Sequence, residues 1–171
     1  FESPSSIGFI NDYAFNECTS FTHISLPSSV KSIGSYAFNN CNSLIEITIP
    51  SSVTEIKPYA FQKCISLIKI NFENPSKLII IDEYSFHKCS LLEEISIPSS
   101  VTEIGERAFS GCSLLNQVVV SSSLKEIKKY TFEKCQSLTQ VAFETPSSLS
   151  IVDEHSFIGC SLLTEIKLPS T

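Results

Sequence analysis

Seven cysteines recur along the chain at intervals of 23 or 25 residues, and this regularity restricts the fold more than any other feature of the sequence. They lie at positions 18, 41, 64, 89, 112, 135 and 160. Disulfide frameworks and zinc sites rarely space cysteines so evenly, whereas a period of about 20 to 30 residues is typical of stacked repeats. The cysteines therefore predict a repeat protein.

Apolar residues keep a fixed distance from every cysteine. Phenylalanine stands three residues before each cysteine, Ile or Val eight before, a large apolar residue three after, and Ile or Val six after. The unit reads V-x-x-I-x-x-x-A-F-x-x-C-x-x-L-x-x-I-x-I. Such a pattern predicts a solenoid, in which each unit stacks its apolar positions on those of its neighbours and so builds continuous columns.

Each part of the unit has its own predicted conformation. The segment L-x-x-I-x-I alternates apolar and polar residues, which is the period of a strand with one buried face, so we expect one parallel strand per unit. The P-S-S that follows, as at 50–52, predicts a turn. V-x-x-I predicts a short extended segment on the opposite side, and A-F-x-x-C a tight helical or 3-10 bend.

These motifs resemble the BspA-like, or treponemal-class, leucine-rich repeats over the whole chain. The resemblance implies a leucine-rich-repeat solenoid, a right-handed α/β-type superhelix that is rich in β-structure, with short extended or 3-10 segments on its convex side. Members of this family are mainly surface or secreted proteins of mucosal bacteria and parasitic protists. The resemblance therefore implies a cell-surface or secreted protein with a role in adhesion to host cells or to extracellular-matrix proteins such as fibronectin.

The whole chain is expected to form a single leucine-rich-repeat domain of seven units. It starts within a unit and contains no methionine, so we expect a fragment of a longer array. The predicted units span residues 1–25, 26–48, 49–71, 72–96, 97–119, 120–142 and 143–167.

Some units carry two additional residues, and these longer units recur every 71 residues. The additional pairs are Glu2-Ser3, Glu73-Asn74 and Glu144-Thr145. Because 71 equals 25 + 23 + 23, the true period is a triplet of units, with a lengthened turn on one edge about every 14 Å. The triplet also aligns acidic residues such as Asp82-Glu83. They do not supply the six or more oxygen ligands that calcium requires, and duplication of a three-unit ancestor accounts for the period.

The recurring side chains are expected to build the interior. The cysteines predict seven free, slowly reacting thiols packed beside a buried phenylalanine column. The three histidines occupy different positions in their units, so no metal site or cofactor is expected. Beside the phenylalanines runs a row of tyrosines that is either partly packed or a binding strip. It comprises Tyr13, Tyr36, Tyr59, Tyr84 and Tyr130, with Arg107 and His155 in the same row.

Composition and motifs exclude several classes of function. A formal charge of −6 without a concentrated basic patch disfavours nucleic-acid partners. The longest aliphatic run, at 78–81, is far shorter than the roughly 20 residues of a membrane span, so this segment is not expected to insert into a membrane. There is no phosphate-binding glycine loop, no H-E-x-x-H and no G-x-S-x-G, so we expect no enzymatic activity.

Binding is therefore expected on a surface, and the concave face of the stacked strands is the first candidate. Side chains five and seven residues after each cysteine alternate with buried ones and should point outward there. Gln117, Val119, Gln140 and Ala142 form its least charged part, although a plain solvated sheet face is an equal alternative. The candidate residues for a protein contact are Lys69, Asn71, Glu94, Ser96, Gln117, Val119, Gln140 and Ala142.

The leading functional hypothesis is a non-catalytic protein-binding module of an adhesin that binds host-cell or extracellular-matrix proteins. The first alternative is a structural spacer or self-assembling repeat array, because apolar ends without a polar capping repeat favour end-to-end self-association. The second alternative is an intracellular scaffold, which free cysteines slightly favour.

Overall fold

The computed structural model describes residues 5–169, and within this range the backbone forms thirteen short parallel β-strands and no helix. The first of the three lengthened turns, with Phe1 and the pair Glu2-Ser3, lies outside the described residues. The strands fall into two columns that alternate along the chain. One column has strands of two residues, and the other has strands of up to four.

The short-strand column contains the odd-numbered strands and follows the V-x-x-I segments. Its members are β1 (Phe9–Ile10), β3 (Ser32–Ile33), β5 (Glu55–Ile56), β7 (Ile80–Ile81), β9 (Glu103–Ile104), β11 (Glu126–Ile127) and β13 (Ile151–Val152). The long-strand column contains the even-numbered strands and follows the L-x-x-I-x-I segments. Its members are β2 (His23–Ile24), β4 (Glu46–Ile49), β6 (Lys69–Phe72), β8 (Glu94–Ser96), β10 (Gln117–Val120) and β12 (Gln140–Phe143). This arrangement confirms the predicted solenoid with one long parallel strand per repeat.

Each column is interrupted once. In the short-strand column β1, β3, β5, β7 and β9 form one sheet, and β11 pairs with β13. In the long-strand column β2, β4 and β6 form one sheet, and β8, β10 and β12 form another. Strands β6 and β8 lie next to each other without a hydrogen-bond ladder. This break in the long-strand column falls at the unit that carries the additional pair Glu73-Asn74.

The phenylalanine column is the centre of the core, as predicted. Phe38, Phe61, Phe86, Phe109 and Phe132 are all fully buried. Successive rings stack nearly parallel, with centroids 5.0 to 5.6 Å apart from Phe38 to Phe132. Aliphatic columns from both kinds of strand surround the rings, so one continuous apolar interior runs through the stack.

The predicted helical or 3-10 bend at A-F-x-x-C is wrong. In the described residues this segment is a series of turns with left-handed backbone at two positions of each unit, for example Tyr59 (φ 61°) and Lys63 (φ 58°). Alternate N–H groups then point in different directions: Ala60 N–H bonds Lys57 within its own turn, while Phe61 N–H bonds the carbonyl of Ser85 in the next unit. The left-handed residues produce this alternation of N–H directions. The segment therefore forms a third ladder of hydrogen bonds between units and does not form a helix.

Candidate binding groove on the long-strand sheet

The structure places the predicted contact residues on the outward side of the long strands. Lys69, Glu94, Ser96 and Gln140 are exposed, and Asn71, Gln117, Val119 and Ala142 are half-buried. Their neighbours along the strands, such as Ile70, Ile95, Val118 and Val141, are buried. The alternation that the sequence predicted for this face is therefore present.

Strand register brings these residues into two rows. Across β8, β10 and β12, Glu94 lies beside Gln117, which lies beside Gln140. The second row aligns Ser96 with Val119 and Val119 with Ala142. Lys69 and Asn71 belong to β6, on the far side of the break in the sheet.

Six of the eight predicted residues line one groove of about 610 Å³ that crosses this break. Gln140 and Ala142 lie outside its lining. The six residues in the lining are Lys69, Asn71, Glu94, Ser96, Gln117 and Val119.

The lengthened turns supply the rest of the groove, which sequence reasoning on the strand face alone missed. Residues 73–76 form one wall, the turn at 98–100 lies beside it, and Glu144 of the next lengthened turn reaches the lining. The signal for these residues was present in the sequence, because the additional pairs were expected on one edge of the strands. What the sequence did not indicate is that this edge borders the candidate face.

The two glutamates of the lengthened turns are held by equivalent hydrogen bonds. Glu73 Oε2 accepts from the backbone N–H of Ser51 at 2.9 Å. Glu144 Oε2 accepts from the backbone N–H of Ser122 at 3.0 Å. Both bonds reach back to the turn of the preceding unit. The added glutamate therefore ties its loop to the solenoid and fixes the position of a carboxylate at the groove.

One buried hydroxyl beside the lengthened turn has no hydrogen-bond partner. In two ordinary turns the second serine donates its hydroxyl to the preceding unit: Ser29 to Ile7 O and Ser52 to Val30 O. Ser100 occupies the same place directly after the lengthened unit, and its Oγ is buried without a partner. Ser100 lies in the lining of the groove together with the inserted residues Glu73 and Asn74.

Carboxylates outnumber basic groups in the groove. Its lining contains Glu73, Glu94 and Glu144 and one basic residue, Lys69. The five ion pairs of the described residues involve other glutamates, including Lys128 with Glu103. The lining combines carboxylates, hydroxyls, amides and apolar side chains, so the arrangement is suited to holding a ligand through contacts and charge.

The tyrosine row is packed as a stack along the edge of the turns. The rings of Tyr36 and Tyr59 are 4.6 Å apart, and those of Tyr59 and Tyr84 are 4.8 Å apart. Arg107 continues the stack with its guanidinium 4.0 Å from the ring centroid of Tyr130. Partial burial raises the pKa of Tyr59, and the nearby carboxylate of Glu83 adds to this shift. Since these rings contact one another, partial packing describes the row better than a free binding strip.

All seven cysteines are free thiols. The five inner ones are buried, and Cys18 and Cys160 are half-buried. Burial raises the pKa of Cys112 to about 12, and it also raises the pKa of Cys89 well above the ordinary value. The predicted burial therefore holds for the five inner thiols and only in part for Cys18 and Cys160.

Two further observations concern metals and membranes. Among residues 5–169, no three His, Cys, Asp or Glu side chains are grouped so that they could hold a metal ion. Asp82 and Asp153 of the acidic positions instead accept hydrogen bonds from the next backbone N–H, of Glu83 and Glu154 respectively. The same part of the chain forms no helix long and apolar enough to cross a membrane.

Solved structures with the same fold come from several bacteria. A leucine-rich-repeat protein of T. pallidum is 33% identical, with a TM-score of 0.86 over 96% of this chain and 75% of that one. A leucine-rich cell surface protein of Faecalibacterium prausnitzii is 26% identical, with a TM-score of 0.69 over 86% of this chain and 36% of that one. A leucine-rich-repeat protein of Eubacterium ventriosum, at 24% identity, shares the fold with a TM-score of 0.79 over 99% of this chain and 46% of that one. This chain thus spans less than half the length of the last two proteins. No curated protein matches it.

The model of the BspA-type leucine-rich repeat region matches residues 1–91 and 79–171, in six copies. This match covers the stacked strands, the phenylalanine column and both lengthened turns that the structure describes. Leucine-rich-repeat solenoids are typically non-enzymatic scaffolds for protein interaction. The chain belongs to the BspA-type leucine-rich repeat family.

Proposed function

We propose that the chain is the protein-binding part of a cell-surface or secreted adhesin and that it binds host-cell or extracellular-matrix proteins through the groove on the long-strand sheet. The observation that carries this proposal is the convergence of six outward strand residues with the lengthened turn 73–76 on one groove. The similarity to a leucine-rich cell surface protein supports the location. Repeat solenoids commonly bind macromolecules on such extended faces.

Direct binding to purified matrix proteins, with fibronectin as the first probe, tests the proposal. We expect saturable binding by the 171-residue chain and at least about tenfold weaker binding by Val119→Glu, because the new charge would project into the floor of the groove. Thr102→Glu is the matched control, since Thr102 is exposed beside the short strand β9. It should bind like the parent chain.

Thermal unfolding of both variants should show that each retains its fold. Equal loss of binding in the two variants, or no loss in Val119→Glu, would exclude the groove as the contact surface. Absence of binding to any matrix or host-cell surface protein would refute the adhesin proposal.

A further inference from the structure

We infer that the groove accepts an extended polypeptide segment that carries two basic side chains four residues apart. The inference rests on the proposed function and names the chemistry of the partner at the same groove. Three features of the described residues support it: the spacing of the two lengthened turns, the excess of carboxylates in the lining, and the uncharged residues of the floor.

The spacing comes from the triplet period. Glu73 and Glu144 occupy equivalent places in two lengthened turns three units apart, and both line the groove. Three steps between parallel strands amount to about 14 Å. An extended chain advances about 3.3 to 3.4 Å per residue, so about four residues of a ligand separate side chains that face these two glutamates. The ligand would lie across the strand ends, along the axis of the solenoid.

The charge of the lining favours a basic ligand. Three carboxylates and one ammonium group give a formal charge of −3 + 1 = −2. Within the described residues, no Lys, Arg or His nitrogen lies within 4.0 Å of Glu73, Glu94 or Glu144 to form an ion pair. Each lengthened-turn glutamate uses Oε2 for a backbone N–H, which orients the carboxylate before a ligand arrives. Preorganised carboxylates lose less entropy on pairing with a cation than freely rotating ones.

The floor between the two glutamates suits a polypeptide backbone. Ser96 and Gln117 offer a hydroxyl and an amide for hydrogen bonds, and Val119 offers an apolar contact. The break between β6 and β8 crosses this floor, and the unpartnered Ser100 hydroxyl lies in the adjoining wall.

Fluorescence polarisation with labelled ten-residue peptides tests the inference. One peptide carries lysines at positions i and i+4 in an otherwise Ser/Thr/Val background. The comparison peptides carry the same lysines at i and i+2, or glutamates at i and i+4. We expect the i, i+4 lysine peptide to bind at least about fivefold more tightly than the i, i+2 peptide, and the affinity to fall as salt is raised from 25 to 150 mM. The glutamate peptide should not bind.

Conservative substitutions identify the carboxylates involved. Glu73→Gln with Glu144→Gln keeps an oxygen that can accept from Ser51 and Ser122 while removing both charges. This double variant should bind the i, i+4 peptide about fivefold or more weakly. Glu55→Gln with Glu126→Gln, two residues of the short-strand column, is the matched control and should bind like the parent.

The inference is overturned if the two lysine spacings bind equally, or if the groove double variant binds like its control. Its failure can be told apart from failure of the proposed function. If fibronectin or another matrix protein still binds and Val119→Glu abolishes that binding, the groove is a protein contact whose ligand is not the basic segment inferred here.

Discussion

Each inner cysteine contributes a hydrogen bond as well as buried volume. The Sγ of Cys112 donates to the carbonyl of Phe86 in the preceding unit at 3.2 Å, and the same carbonyl accepts the N–H of Cys89 at 3.2 Å. The pattern repeats at every cysteine from Cys41 to Cys160. Burial of a small apolar side chain could be predicted from the sequence, because cysteine at a fixed core position favours it. The hydrogen bond that the thiol donates could not be predicted, since it depends on how far one unit is displaced from the next.

Glycine at the middle unit of each triplet is explained by a close approach between units. A Cβ at Gly105 would lie 2.2 Å from the backbone nitrogen of Glu83 and 2.6 Å from the carbonyl carbon of Asp82. A Cβ at Gly34 would meet Asp12 and Asn11 in the same way. The sequence showed that this position cycles with the triplet, but only the structure shows that the preceding acidic turn occupies the space of a side chain.

Gly105→Ala should therefore destabilise the fold. We expect the free energy of unfolding to fall by about 1 to 3 kcal/mol, because the contacting atoms are backbone atoms that cannot rotate away. Urea denaturation followed by circular dichroism measures the change. Gly8→Ala is the control, since a Cβ there meets nothing within 4 Å. Equal stability of the two variants would show that the units separate more easily at this contact than the packing indicates.

At the scale of the element, the A-F-x-x-C segment forms turns instead of the predicted helical bend because some of its residues are left-handed. Most of these residues could not be recognised as left-handed from the sequence. The position before cysteine has positive φ at Glu17, Asn40, Lys63, Lys88, Gly111, Lys134 and Gly159. Only the two glycines and the asparagine are residue types that favour this conformation. The lysines and the glutamate indicate nothing of the kind, and Ala-Phe alone favours a helix. Backbone hydrogen bonds to the next unit therefore override the local helix propensity here. The sequence pattern of a single unit does not reveal these bonds.

Replacing a lysine at this position by glycine separates backbone strain from other effects. Lys63→Gly removes the strain of a left-handed non-glycine residue, which is about 1 kcal/mol or more. It also raises the conformational entropy of the unfolded chain, which costs a comparable free energy. We expect its free energy of unfolding to be unchanged or raised by up to about 1 kcal/mol. Lys31→Gly lies outside the left-handed positions and should lose about 0.5 to 1 kcal/mol.

Chemical denaturation of the two variants and the parent measures the difference. If Lys63→Gly loses as much stability as Lys31→Gly, the left-handed backbone at residue 63 carries no strain.

At the scale of the whole molecule, the period of the sequence predicted most of the structure because stacking turns each repeated residue into a column. One unit therefore specifies the core of all of them, from the phenylalanine rings to the long strands. The candidate face was predictable for the same reason, since outward positions alternate with buried ones. The groove was less predictable, because it forms at the lengthened turn, where the sequence departs from its regular period. No column of equivalent residues indicates the structure at such a place.

The column of buried thiols also predicts how the molecule responds to alkaline pH. Burial raises the pKa of Cys112 to about 12, from an ordinary value of 9.0, and raises the pKa of Cys89 well above that value. Hydrogen bonding between neighbouring thiols instead lowers the pKa of Cys41 and of Cys160. Between about pH 9 and 12 the unfolded chain loses thiol protons that the folded chain retains. The unfolded state then binds fewer protons than the folded state, so stability falls as pH rises. Below pH 9 the contribution is complete and constant.

Removing one thiol should reduce this dependence measurably. For Cys89 and Cys112, whose pKa values are raised by burial, the free energy of unfolding declines by up to about 1.4 kcal/mol per pH unit for each thiol within this window. Cys112→Ser replaces the thiol by a hydroxyl that can still donate to the carbonyl of Phe86 and does not ionise in this range. Urea denaturation at half-unit steps from pH 8 to 11 should give a shallower decline for the variant than for the parent, even if its stability at pH 8 is lower. Parallel declines would mean that water reaches the thiol column in the folded state and that the core is more open than its burial indicates.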